Sequence, residues 1–259
     1  DELYSRILNA TENLNLEIEI IYVNDGSNDN TIEVINRQSE NDGRITVIDL
    51  SRNFGKEIAL TAGLDHASGD AVIVIDSDLQ DPPEVIPQLV EKWRDGNDVV
   101  NAKRIKRKGE GLLKKITSYT YYRLLFHLSD IKIPMDTGDF RLLNRNALNA
   151  VLKLREKHRY MKGLFVWVGF KQSFVEYIRE PRSAGTTKFP LLSAGPVTQF
   201  ISGVTAYSLK PLYLGIILGM ISLLFSICFQ FFFEVFAKNR RNNSILVIVR
   251  AFWIVREVE

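Results

Sequence analysis

Short apolar stretches and amphipathic stretches alternate along the first two-thirds of this chain, and a long unbroken apolar run follows. Ile18 to Val23 reads as a strand that closes in Asn24-Asp25-Gly26-Ser27, a turn signature. Thr31 to Ser39 reads as a helix, Ile45 to Leu50 as a second strand, and Lys56 to His66 as a helix with Ala59 and Gly63 on one face. Ala71 to Ile75 reads as a buried strand, Glu84 to Arg94 as a helix ending near Gly96, and Asp98 to Ala102 as another short strand. Strands alternating with helices predict an α/β domain built on parallel strands.

The pattern then becomes less regular. Lys103 to Lys115 is strongly basic and predicts a mobile loop running into a helix over Leu112 to Leu128. Met135 to Leu143 holds Thr137-Gly138-Asp139, which reads as a turn, and Asn144 to Leu154 reads as a helix. Val166 to Phe170 and Ser173 to Ile178 predict two short strands, with Trp167 as a packing residue. The chain opens in a helical pattern, whereas a doubly wound domain should open with a strand. The first strand of the fold is therefore expected to lie outside this sequence.

Leu212 to Phe233 carries no charged residue. A helix needs roughly 20 apolar residues to cross a bilayer, so this run predicts a membrane span. Ser244 to Val255 is a second apolar segment, too short to span and broken by Arg250; it reads either as an interfacial helix or as part of a second crossing. Basic residues flank the long run on both sides, so charge does not set its orientation. The expected organisation is a catalytic domain over 1–188, a juxtamembrane segment over 189–211 and a membrane region over 212–259. Self-association through the tail is compatible with this pattern.

Charge and cysteine content narrow the classes. A net charge of +2 over 259 residues gives no support to nucleic-acid binding. The single cysteine, Cys228, excludes an internal disulfide framework.

The chemistry gathers at Val74 to Glu84, where Asp76, Asp78, Gln80 and Asp81 follow a strand directly and Pro82-Pro83 end it. Ligands of open α/β sheets bind at the carboxyl ends of strands. Like charges so close together repel unless a cation or hydrogen-bond donors satisfy them. Oxygen-only donors suit Mg²⁺ or Mn²⁺, which shares its shell with substrate phosphates. Asp76, Asp78 and Gln80, a DXD-type sequence, are the candidate metal residues, with Asp78 the direct ligand. Asp81 reads either as support behind them or as a helix cap.

Five motifs in order carry a resemblance: V-N-D-G-S-x-D from Val23, N-F-G-K from Asn53, D-S-D-L-Q-D-P-P-E from Asp76, G-D-F-R-L-L from Gly138 and R-x-A-G-x-x-K from Arg182. The chain resembles the family-2 inverting glycosyltransferases of GT-A fold, and within them the polyprenyl-phosphate glycosyltransferases, which include dolichyl-phosphate mannose synthases and bactoprenol glucosyltransferases. The resemblance implies a nucleotide-sugar donor, UDP-glucose or GDP-mannose, and a polyprenyl-phosphate acceptor at the cytoplasmic face of a membrane. It implies that Asp25 contacts the nucleoside, although an Asp-Gly turn alone would also explain it. Gly55 would let backbone approach the nucleotide. Lys56 would balance phosphate charge or stand as a solvated helix residue. The resemblance carries acceptor-phosphate contacts onto Arg104 and Arg182, whose arginine forks suit phosphate oxygens.

Asp139, with Asp78, is the expected catalytic residue, and its role is open between general base and positioning group. A lipid monophosphate has a second pKa near about 6 and needs little deprotonation at neutral pH. Two rival readings are a processive polysaccharide synthase, whose Gln-x-x-Arg-Trp motif is missing from this sequence, and a catalytically silent nucleotide-binding scaffold.

Overall fold

The computed structural model describes residues 2–107, 123, 131, 134, 137–156, 159–180 and 203–239. Two compact units divide it, residues 1–208 and 209–259.

The first unit opens with α1 (Glu2–Thr11), followed by β1 (Ile20–Asn24), α2 (Thr31–Asn41), β2 (Ile45–Asp49), α3 (Lys56–His66) and β3 (Ala71–Val74). A 3₁₀ turn (Pro83–Val85) leads into α4 (Ile86–Arg94), then β4 (Val99–Arg107), β5 (Thr137–Asn144), α5 (Arg145–Lys153), α6 (Met161–Trp167) and β6 (Gln172–Arg179). β1 and β2 form a parallel pair. The larger sheet runs β3-β5-β4-β6, with β5 antiparallel to both β3 and β4, and β4 parallel to β6. The fold is thus mixed, with one reversed strand at the centre of the larger sheet.

Burial on two faces explains that centre. Successive side chains of a strand point to opposite faces. Leu143 and Val99 enter one apolar cluster with Leu64, Leu148, Met161 and Phe165. Leu142, Phe140 and Val100 enter the other, with Leu89 and Tyr177. Each fully buried Leu or Phe contributes roughly 1.5–3 kcal/mol, so these two layers dominate the stability of the unit. Asn144 joins sheet to helix: its Oδ1 accepts from Ala147 N at 2.8 Å and caps α5, while its Nδ2 donates to Asp98 Oδ1 at 2.6 Å.

Several local expectations are corrected. Thr137-Gly138-Asp139 is the start of β5 and not a turn, because pairing with β4, where Thr137 stands opposite Lys103, outweighs local turn chemistry. Residues expected as a strand from Val166 instead close α6; Met161, Leu164 and Phe165 recur at helical spacing and are all buried. Trp167 is 58% exposed, and its ring packs against that of Tyr207 with centroids 6.2 Å apart. β4 runs on through Lys103 to Arg107, where a mobile loop was expected, because β6 pairs with it along that length. Arg104 therefore lies within a strand. The predicted helix over Leu112 to Leu128 lies outside the described residues.

The second unit contains α7 (Lys210–Asn239). Lys210–Glu234 within it has a mean hydropathy of 2.4 and none of it is buried. At 1.5 Å per residue it is long enough to cross a bilayer core of about 30 Å. The apolar segment from Ser244 lies outside the described residues.

Candidate active site

The site begins where β3 ends. Asp76 emerges from the sheet half-buried. Asp78 Oδ1 accepts from Gln80 N at 3.1 Å, which folds the acidic segment into a tight turn. Leu79 holds a left-handed backbone at φ 58°, uncommon without glycine, and its side chain is buried. Gln80 O accepts from Glu180 N at 3.1 Å, anchoring the turn at its far end. Local strain held by burial and hydrogen bonds is common at functional sites.

Lys56 closes the next side. Gly55, at φ 95°, caps α3 and delivers Lys56 as the first helical residue. Its ammonium lies 2.6 Å from Asp76 Oδ1 and 2.6 Å from Asp139 Oδ2. Burial opposes that charge, but Asp139 and Asp76 more than offset it and hold the ammonium above its ordinary range. Asp25 braces the same loop from β1: Oδ1 accepts from Phe54 N at 2.7 Å and Oδ2 from Gly55 N at 3.0 Å.

Asp139 is 8% exposed. Burial alone would raise its pKa, yet Lys162, Lys56 and Arg141 draw the carboxyl well below the usual carboxylate range. Arg141 shapes this part of β5 from beneath. Its guanidinium donates to the carbonyl of Gly138 at 2.6 Å and stacks 4.2 Å from the Phe165 ring centroid.

Arg104 enters from β4. Its Nε donates to Tyr177 Oη at 2.9 Å and its Nη2 lies 3.5 Å from Asp81 Oδ1. The Tyr177 hydroxyl donates to Asp81 Oδ1. A cleft of about 190 Å³ brings together Lys56, Asp76, Arg104, Asp139, Lys162 and Arg179.

Among the residues expected from sequence, Asp25, Gly55, Lys56, Asp76, Asp139 and Arg104 thus converge on or against one cleft. Asp78 and Gln80 occupy the turn beside it, and Arg182 lies outside the described residues. Sequence reasoning missed Lys162, Arg141, Tyr177 and Arg179. For Arg179 a signal was present: Val175, Tyr177 and Arg179 alternate on one face of β6, so the arginine shares the inward side of two buried residues.

Residues 1–152 match the model of glycosyl transferase family 2. The chain belongs to that family. This family-2 glycosyltransferase is 47% identical over 220 residues to the uncharacterized glycosyltransferase YkcC of Bacillus subtilis, covering 85% of this chain and 68% of that protein. It is 42% identical over 226 residues to a prophage bactoprenol glucosyl transferase homolog of Escherichia coli, covering 86% and 73%. It is also 45% identical over 213 residues to the bactoprenol glucosyl transferase of Shigella phage SfV, covering 81% and 69%. The mixed α/β sheet is the GT-A architecture of the family.

Proposed function

We propose that this glycosyltransferase moves glucose from UDP-glucose to a polyprenyl phosphate, with inversion, at the cytoplasmic face of a membrane. The observation that carries the reading is the mixed charge of a single cleft, in which Asp76 and Asp139 face Lys56, Lys162, Arg104 and Arg179. Such a cleft suits a sugar between two phosphate groups, one leaving and one attacking. The relatives named bactoprenol glucosyl transferase supply the sugar and the lipid class.

The chemistry is a single displacement. An oxygen of the lipid phosphate attacks the anomeric carbon from the face opposite the diphosphate, the new C–O bond forms, and UDP leaves with the electron pair of the old one. The attacking phosphate is largely dianionic at neutral pH, so no base has to take a proton from it. Asp139, kept ionised by Lys162 and Lys56, positions the sugar through its hydroxyls. Asp25 holds the amides of Phe54 and Gly55 and so sets the loop against which the nucleotide lies. Arg104 offers a planar fork to the acceptor phosphate.

Asp76, Asp78 and Gln80 are the residues that would hold a divalent cation. Among the described residues no three acidic, histidine or cysteine groups surround one point. Two carboxylates on one turn fit Mg²⁺ or Mn²⁺, ions that keep several waters and complete their shell with substrate phosphates. When bound, such an ion neutralises the charge building on the departing diphosphate.

The domain organisation follows from the same reading. Residues 1–188 form the catalytic domain, 189–211 a juxtamembrane segment and 212–259 the membrane region that keeps the enzyme with its lipid acceptor. Nucleotide sugars are cytosolic, which sets the side of the membrane. The test is transfer of radiolabel from UDP-glucose, and in parallel from GDP-mannose, to undecaprenyl phosphate in detergent, with Mg²⁺, with Mn²⁺ and with chelator. Labelled lipid from UDP-glucose, lost with chelator and in Asp78→Ala, is the expected result. Label from GDP-mannose alone would replace glucose by mannose, and donor binding without turnover would overturn the enzyme reading.

A further inference from the structure

Asp81 is a fully buried carboxylate that the displacement above does not use. Its Oδ1 accepts from the Tyr177 hydroxyl and faces two guanidinium groups, Arg104 Nη2 at 3.5 Å and Arg179 Nε at 3.9 Å. Its Oδ2 has no hydrogen-bond partner among the described residues, nor has Arg179 Nε. Asp78 also favours the charge of Arg179, so two guanidinium groups and two carboxylates meet beside the cleft. A buried ion group of this kind is costly unless it is well paired, and both guanidinium groups line the cleft, where arginine forks suit phosphate oxygens.

The strand register builds the group. Arg104 on β4 stands directly opposite Tyr177 on β6. The pairing is irregular between Arg104 and Lys106, and irregular pairing of this sort re-aims side chains near active sites. The Tyr177 hydroxyl accepts from Arg104 Nε and donates to Asp81 Oδ1, which fixes the plane of the guanidinium. The Tyr177 ring is held in turn edge-on to Phe140, with centroids 5.9 Å apart. Arg179, two residues further along the same face of β6, reaches the same cleft.

We propose that Arg179 is a second phosphate-binding arginine beside Arg104, and that Asp81 and Tyr177 are positioning residues that hold the two guanidinium groups as a pair for the terminal phosphate of the acceptor. This rests on the proposed transfer to a polyprenyl phosphate. Asp81 acts only through the arginines, and Tyr177 only through Arg104 and Asp81.

The experiment uses the full chain in detergent and the variants Arg179→Gln, Tyr177→Phe and Asp81→Asn. Steady-state transfer from UDP-glucose to undecaprenyl phosphate is measured, together with calorimetric binding of UDP-glucose and, separately, of geranyl phosphate, a short water-soluble prenyl monophosphate. Loss of one charge-assisted contact predicts an increase of about tenfold in acceptor KM and in geranyl-phosphate Kd for Arg179→Gln. Tyr177→Phe keeps the ring against Phe140 and shifts the same two constants in the same direction by about threefold, as for one neutral hydrogen bond. The UDP-glucose Kd stays at the wild-type value in both. Asp81→Asn loses acceptor binding as well, and if it fails to fold the other two variants still decide. A shift confined to UDP-glucose would assign the pair to the donor diphosphate and overturn the inference. Wild-type constants in Arg179→Gln and Tyr177→Phe, with active wild-type enzyme, would overturn it while leaving the transfer reading intact. Wild-type protein that neither binds geranyl phosphate nor labels the lipid would overturn both.

Discussion

Lys56 Nζ stands 2.6 Å from Asp139 Oδ2, joining the first turn of α3 to the central strand β5. The same ammonium is 2.6 Å from Asp76 Oδ1. One cation therefore ties together the carboxylate that follows β3 and the carboxylate at the start of β5, and three separate sequence motifs meet through it.

Lys56→Met leaves those two carboxylates facing each other without their shared cation. The expected loss in kcat/KM is about a hundredfold, the scale of removing one preorganised charged contact. Lys56→Arg should recover part of it. Steady-state kinetics with both substrates check this, and wild-type rates in Lys56→Met would return the residue to the status of a solvated helix side chain.

Asp139 is held below the usual carboxylate range, although burial by itself would raise it, because Lys162, Lys56 and Arg141 stabilise its charge. A depressed folded-state pKa contributes stability that is present above the unfolded value of about 4 and is lost as pH falls through the folded value. Thermal unfolding should therefore weaken only on the acid side of about pH 4, and Asp139→Asn should flatten that dependence. Activity should follow a different group: kcat/KM for the acceptor should decline below about pH 6, as the lipid phosphate takes up its second proton. A pH–rate profile that stays level down to about pH 5 would contradict the dianion mechanism.

Two glycines predict opposite outcomes. A Cβ at Gly138 would overlap Arg104 Nη2, the far end of a flexible side chain. Gly138→Ala should lose acceptor affinity as Arg104 is displaced, with a loss of stability only as large as the weakened contact to Asp81. A Cβ at Gly163 would overlap the ring of Tyr207, which is buried and whose hydroxyl donates to Tyr160 O. Gly163→Ala should be destabilised by about 1–3 kcal/mol, the cost of overpacking a core. Urea denaturation and acceptor KM, measured on both variants, separate the two effects.

Arg141 is 2% exposed; burial lowers its pKa to about 10, against the pull of Asp139 and Glu57. Its guanidinium holds the carbonyls of Gly138 and Asp139 at 2.6 and 3.4 Å. Arg141→Met should cost about 3 kcal/mol of stability, because the strand carbonyls lose their donors and Asp139 loses a neighbouring charge in a buried setting. Circular dichroism during denaturant titration checks the magnitude. A variant as stable as wild type would show that Phe165 packing alone supports this part of β5.

Much of the site was legible because its residues come in local motifs. Asp76 and Asp78 announce a carboxylate cluster by spacing alone, and Asn53 to Lys56 announces a loop entering a helix. Arg104 was legible as a cation but was expected to follow its strand. Its place inside β4 depends on pairing with β6, more than 70 residues away in sequence. Asp139 was expected on a turn for the same reason: Thr-Gly-Asp has turn chemistry, and only its pairing partner β4 makes it a strand.

What the amino-acid order determined by itself is whatever short-range physics controls: the alternation of strands and helices, the acidic turn after β3, and an apolar helix long enough to cross a membrane. The tertiary structure alone decided the reversed central strand, the bridge from Lys56 to two carboxylates, and the shared burial of Asp81 with Arg104 and Arg179. These are contacts between residues far apart in the chain. Their energies arise from desolvation and charge pairing that exist only once the sheet has assembled, and no local pattern of residues encodes which partner will arrive.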